Sequence, residues 1–188
     1  MVAIDAAQQT AAKTVPCSTW ILDPVSSVAE FKVTYLMTTY VKGMFSGLSG
    51  VLKRDGSDDI YSYVEFSIPA PSLKTVDERF DPHLKDEEFF DAEKFPTITF
   101  KSTSFRSTAD RNYAMTGDLT IHGLTKSVTI ATEDVTDTSS DPWSYQRIGL
   151  FCSITISRKD FGLVWQDSGG VLVGDEVTIS LKAQFAKK

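Results

Sequence analysis

Asp81, His83, Asp86, Glu87 and Asp91 fall within eleven positions and are the side chains best suited to acid–base or metal chemistry. On a helix, His83 and Glu87 would share one face, being four apart. A zinc centre needs three or four ligands, and only one histidine is present here. Helix capping and a solvated acidic face account for the group, with Asp81 and His83 left as polar groups for the mouth of a cavity. His122 precedes Gly123 in a turn and reads as structural. Cys17 and Cys152, the only two cysteines, are too few for a disulfide framework and read as free thiols, Cys152 packed in a sheet. No Gly-x-Ser-x-Gly elbow, phosphate loop or dinucleotide fingerprint occurs, so neither hydrolase nor nucleotide chemistry is indicated. The expectation is no catalytic residue, no metal and no cofactor.

Residues 73–100, LKTVDERFDPHLKDEEFFDAEKFPTITF, must position this group. They form the one long segment that does not read as strand. Asp81 suits an N-cap and Pro82 a first helical position. Asp86, Glu87 and Glu88 then fall in the first turns, where the positive helix end favours acids. Leu84, Phe89 and Phe90 are the apolar anchors. Pro96 forces Phe95 to be extended and ends any helix.

The rest alternates with period two, the mark of half-buried strands. Residues 19–23, 28–35, 41–54, 60–68, 97–105, 113–121, 126–134, 147–157 and 176–185 read as strands. Turns fall at 24–27, 55–58, 110–112, 122–123 and 136–142. Gly43, Gly47 and Gly50 inside one strand mark a bulge, a bend or the close approach of another group. The tally is about eight strands in meander order. That defines an all-β chain, an eight-stranded antiparallel barrel with a short helical insert between strands 3 and 4. A two-sheet sandwich would show the same alternation.

With 188 residues the chain is one domain. Residues 1–17 read as a flexible arm and 18–188 as the barrel domain. The net charge of −6 lacks the basic footprint of a nucleic-acid binder. No apolar run of 18 residues is present, so no transmembrane helix is expected. The first sixteen residues lack a basic start and an apolar run, which suits a cytoplasmic chain, or a periplasmic one whose signal has been removed.

One face of the strands collects Phe31, Val33, Tyr35, Val64, Phe66, Ile98, Phe100, Met115, Leu119, Ile121, Ile154, Ile179 and Phe185, among others. That bulk either fills a narrow barrel or lines an oily tunnel.

Four motifs in order, HLKDEEFFDAEKFPTITF, GDLTIHGLTKSVTI, RKDFGL and VGDEVTISLKAQF, resemble the YceI-like family of bacterial lipid-binding proteins, as does the opening WILDPVSSVAEF. The likeness spans residues 20–185. It implies a lipocalin-like barrel binding a long apolar lipid, such as a polyisoprenoid, an isoprenoid quinone tail or a fatty amide, as carrier or sequestering protein. It also implies a homodimer and no catalytic activity. The sequence departs from the family pattern at Ser26, at Tyr35 and at Phe80, where the family favours His, His and Arg. These departures bear on the ligand's head group more than on its tail.

The residues expected to touch lipid are Phe31, Val33, Tyr35 and Phe45 from the early strands and Val64, Phe66 and Phe100 from the middle ones. Leu84, Phe89 and Phe90 come from the insert, and Met115, Leu119, Ile121, Phe151 and Ile154 from the later strands. Phe161, Val164 and Trp165 complete the set. Phe151 and Ile154 have opposite parity, so only a bulge would let both face inward. An anionic head group would need help from Lys85, Arg158 or Lys159. Two other readings stay open: a small-ligand enzyme using His83 and nearby acids, and an interaction protein with a filled core.

Overall fold

A period-two pattern with apolar residues on one side folds by rolling that side inward, and closure removes the exposed edges. The computed structural model describes residues 17–55, 60–109, 112–136, 139–142, 145–164 and 172–188. The N-terminal arm up to residue 16, parts of three expected turns (55–58, 110–112 and 136–142), Trp165 and the Gly169-Gly170 pair lie outside the described residues.

The strands are β1 (Ser18–Leu22), β2 (Val28–Tyr35), β3 (Thr39–Phe45), β4 (Ser49–Asp55), β5 (Ile60–Pro69), β6 (Lys74–Thr75), β7 (Thr97–Ala109), β8 (Asn112–Ile121), β9 (Leu124–Val135), β10 (Ser139–Ser140), β11 (Gln146–Ser157) and β12 (Val173–Lys187). β1 and β2 are two halves of one bent stave, because both pair antiparallel with β12: Leu22 opposite Phe185, Ala29 opposite Leu181. β3 and β4 form the next stave, pairing with β2 and β1 in turn. The order then runs through β5, β7, β8, β9 and β11. β11 pairs with β12 along eleven positions, from Arg147–Ala186 to Ser157–Glu176, and closes the ring. The result is a closed eight-stranded antiparallel barrel in meander order, not a sandwich.

The glycines of the second stave explain its break. Gly47 has φ 66°, a turn that a side chain would strain. A Cβ on Gly43 would run into the Phe31 ring and sit 2.8 Å from the Lys74 carbonyl. The stave therefore bends at Gly47, and Phe31 lies flat across Gly43. The tight link at 122–123 also forms as read: His122 and Gly123 both have positive φ, 51° and 73°, as a two-residue type I′ hairpin requires. His122 packs edge-on against Phe95, ring centroids 4.7 Å apart, a structural place.

One end of the barrel is solid. Trp20, Leu52, Val64, Met115, Ile148 and Phe185 are each no more than 2% exposed there. Cys152 is buried in the same core and Cys17 is exposed; neither is in a disulfide.

The insert departs from the sequence reading. The helix α1 covers only Asp81–Lys85, and Phe80 holds the N-cap position without a side-chain cap bond. Asp81 is instead inside the helix, and its carboxylate is turned away to accept the Thr75 N–H and hydroxyl at 2.7 and 2.6 Å. At Asp86 ψ reaches 170°, so the helix stops before Glu87. The expected shared face of His83 and Glu87 therefore does not form. Tertiary hydrogen bonds to β6 outweigh local capping preference here. The chain then turns tightly, with the Phe89 N–H on the Asp86 carbonyl and the Phe95 N–H on the Asp91 carbonyl, and Asp91 at φ 43°.

Candidate functional site

The other end of the barrel is hollow. β2 and β3 splay away from β5 because β3 pairs with β6 of the insert rather than with β5. Phe80, His83, Leu84, Phe89 and Phe90 of the insert lie over the opening so made. The cavity beneath has a volume of about 280 Å³. A smaller space of about 60 Å³ continues inward and shares Ala29, Ile68, Ile98, Leu119 and Ile179 as walls.

Ten expected site residues line the larger space: Phe31, Val33, Tyr35, Phe45, His83, Leu84, Phe89, Phe90, Leu119 and Ile121. Phe66, Phe100 and Ile154 line the inner one. The aromatic side chains lock one another. Phe45 meets Phe31 at 5.9 Å and Phe90 at 5.8 Å, while Tyr35 meets Phe80 edge-on at 5.7 Å. His83 packs edge-on against Phe89 at 5.0 Å.

The other expected residues are placed elsewhere. Phe151 lies opposite Lys182 and Asp134 on the outer face of β11, between buried Leu150 and Cys152. The bulge lies in the β9 pairing after it and does not bring it inward. Val164 is 52% exposed, just past the turn that ends at Gly162. Val64 and Met115 belong to the solid end, and Phe161 is buried behind the wall, 2% exposed. Asp81 is buried as the tie between insert and β6 rather than as part of the lining. Trp165 lies outside the described residues.

Several lining residues were not singled out. Val41, Ile156, Leu163 and Val173 are such residues; Phe80, noted in the sequence as a departure from the family pattern, and Arg158, noted as help for an anionic head group, join the wall as well. Strand parity identifies an inward side chain but not its depth along the barrel, so hollow and filled regions look alike in sequence. Val173 and Leu163 sat in a stretch without clear alternation.

The electrostatics of the site are sparse. Among the described residues Tyr35, His83 and Arg158 are the polar side chains lining the larger space, and the hydroxyls of Thr99 and Ser153 border the inner one. Arg158 opens a short 3-10 turn, Arg158–Phe161, and its guanidinium donates to three backbone carbonyls. The Asp81 carboxyl is held below its ordinary 3.8, chiefly by the Thr75 hydroxyl. Burial opposes this, and the Thr75 N–H and the charges of Lys74 and Lys85 add to it. Asp86 and Glu87 are exposed. Among the described residues no group of three His, Cys, Asp or Glu side chains is close enough to hold a metal ion. No helix among them is long and apolar enough to cross a membrane.

A closed meander barrel, solid at one end and hollow at the other, is the architecture of small barrels that enclose one ligand. Comparison with known proteins places it further. Residues 20–185 match the YceI-like domain. A UPF0312 protein of Vibrio vulnificus strain YJ016 is 36% identical over 134 residues, covering 71% of this chain and 70% of the relative. The chain belongs to the YceI-like family. Among solved structures, Burkholderia cenocepacia BcnA superposes with a TM-score of 0.75 at 22% identity, over 87% of this chain and 98% of that one. A polyisoprenoid binding domain from Saccharophagus degradans, implicated in plant cell wall breakdown, gives 0.67 at 13% identity, over 90% and 98%. At these identities the likeness speaks for the fold.

Proposed function

We propose that the barrel binds one apolar lipid chain, inserted tail-first beneath the insert, and acts as a carrier or sequestering protein rather than an enzyme. The observation that carries this reading is the hollow itself, walled mainly by hydrocarbon and aromatic side chains, with Tyr35, His83 and Arg158 the polar groups described in the lining of its larger space. The likeness in fold to the polyisoprenoid binding domain from Saccharophagus degradans agrees with it.

The size of the hollow bears on the lipid. A cavity of about 150 Å³ lined by Leu, Ile and Phe accepts benzene. A space of 280 Å³ therefore suits about a dozen carbons by the same yardstick, or two to three isoprene units. At about 0.8 kcal/mol per CH₂, a dozen buried carbons supply roughly 10 kcal/mol. Association and ordering remove about 4–15 kcal/mol. A chain of this length is thus held moderately by its tail. A longer polyprenyl or quinone tail would extend past the mouth.

The test is native mass spectrometry of protein purified gently from a bacterial host. The expected result is an excess mass of one lipid per chain, identified after organic-solvent extraction. Only the bare chain mass, together with no uptake of added farnesol, would overturn the reading. The homodimer implied by the family resemblance goes with this proposal, and sedimentation equilibrium checks it.

A further inference from the structure

Among the described residues Arg158 is the only Arg or Lys in the lining of the hollow, and none of those lining it is Asp or Glu. Its side chain is nine-tenths buried, at 7% exposure. Lys159 and Asp160, its neighbours on the same short turn, are exposed. Nε donates to the Gly174 carbonyl at 3.0 Å, Nη1 to Leu163 at 2.5 Å and Nη2 to Val173 at 3.2 Å. A guanidinium has five N–H donors, so these three bonds leave part of its capacity unspent. All three acceptors are neutral.

The nearby acid is engaged elsewhere. Asp175 accepts from the Ser157 hydroxyl at 2.9 Å and lies 3.9 Å from the Lys159 ammonium. Among the described residues Arg158 has no carboxylate partner. A buried cation balanced by dipoles alone is costly, and an anion brought beside it in low dielectric is strongly attracted. Arg158 also stands where a head group would stop. Its Nη2 bonds the carbonyl of Val173, the residue paired with Tyr35, and Tyr35 and His83 share the lining with it.

We infer that the hollow takes an amphiphile with an anionic oxygen head group, a carboxylate or a phosphate, bound to Arg158 with its tail running along Ile156, Ile179 and Leu119. This rests on the reading of the hollow as a chain site and adds the charge of the head. A purely structural Arg158, stapling residues 163 and 173–174 together, would make the ligand's charge immaterial.

The experiment is isothermal titration of delipidated protein with two matched pairs: dodecanoic acid against dodecan-1-ol, and farnesyl phosphate against farnesol. The inference expects the anion to bind at least tenfold more tightly in one pair or both. A preference confined to the dodecyl pair assigns a carboxylate, and one confined to the farnesyl pair a phosphate. Arg158→Gln, checked for folding by circular dichroism, is expected to weaken anion binding more than alcohol binding and so lose the preference. Alcohols binding as tightly as their anions to the unaltered protein overturn the inference and leave the chain site standing. No binding by any of the four overturns both. If Arg158→Gln fails to fold, the comparison on the unaltered protein still decides.

Discussion

Phe45 of the barrel wall and Phe90 of the insert meet edge to face, ring centroids 5.8 Å apart and planes at 83°. Both rings line the hollow. One contact therefore fastens the insert to the barrel and shapes the space beneath it. Replacing Phe90 with Ala is expected to cost about 2 kcal/mol of stability, the scale of one largely buried aromatic side chain. The same change widens the mouth, so the variant should favour bulkier chains. Thermal unfolding with and without farnesol measures both; an unchanged melting temperature would show that the pair does not hold the insert.

Gly43 exists for Phe31. Gly43→Ala places a methyl group into the Phe31 ring and against the Lys74 carbonyl. Overpacking of this kind costs about 1–3 kcal/mol. Because Phe31 lines the hollow, chain affinity should fall as well. Urea unfolding and farnesol titration of the one variant read both effects.

Asp81 couples pH to the insert. Its folded carboxyl titrates below the ordinary 3.8, so its contribution is complete above that pH. The contribution is lost as pH falls below 3.8 and through the lowered value. Asp81→Asn is expected to cost about 1–2 kcal/mol at neutral pH, the scale of a hydrogen bond to a charged group. The gap between the two proteins should close as pH drops toward 2. Parallel unfolding curves at pH 7, 4 and 2.5 check this; a gap that stays constant would assign the effect to packing.

The hairpin between β2 and β3 carries Leu36 at φ 51° and Met37 at φ 61°, with Met37 74% exposed. Left-handed backbone costs a residue with a side chain about 1–2 kcal/mol. Met37→Gly should therefore stabilise the protein by about 0.5–1 kcal/mol, after glycine's added unfolded-state entropy is deducted. A loss of stability would mean that the Met37 side chain makes contacts that outweigh the strain.

The barrel was legible in the sequence because period-two alternation states which side each residue faces. Gly43, Gly47 and the His122-Gly123 hairpin were legible too, since only particular backbone shapes demand those residues. Depth was not legible. Val64 and Phe66 share one face of β5, yet Val64 packs in the solid end and Phe66 lines the inner hollow. The extent of α1 was missed because Asp81 serves Thr75, a partner that local capping rules do not see. Phe151 was misassigned against its own parity. Arg158 was visible as a cation, but its burial depends on carbonyls from residues 163, 173 and 174 that the fold brings around it.

The central claim is that hydrocarbon occupies the hollow between β2, β12 and the insert. A chain-length series of primary alcohols from eight to twenty carbons, titrated into delipidated protein, tests it most directly. Affinity should rise about fourfold per added CH₂, following about 0.8 kcal/mol each, and then level off beyond about a dozen carbons, where a cavity of 280 Å³ is full. An affinity that does not depend on chain length, or no binding at any length, would contradict the account.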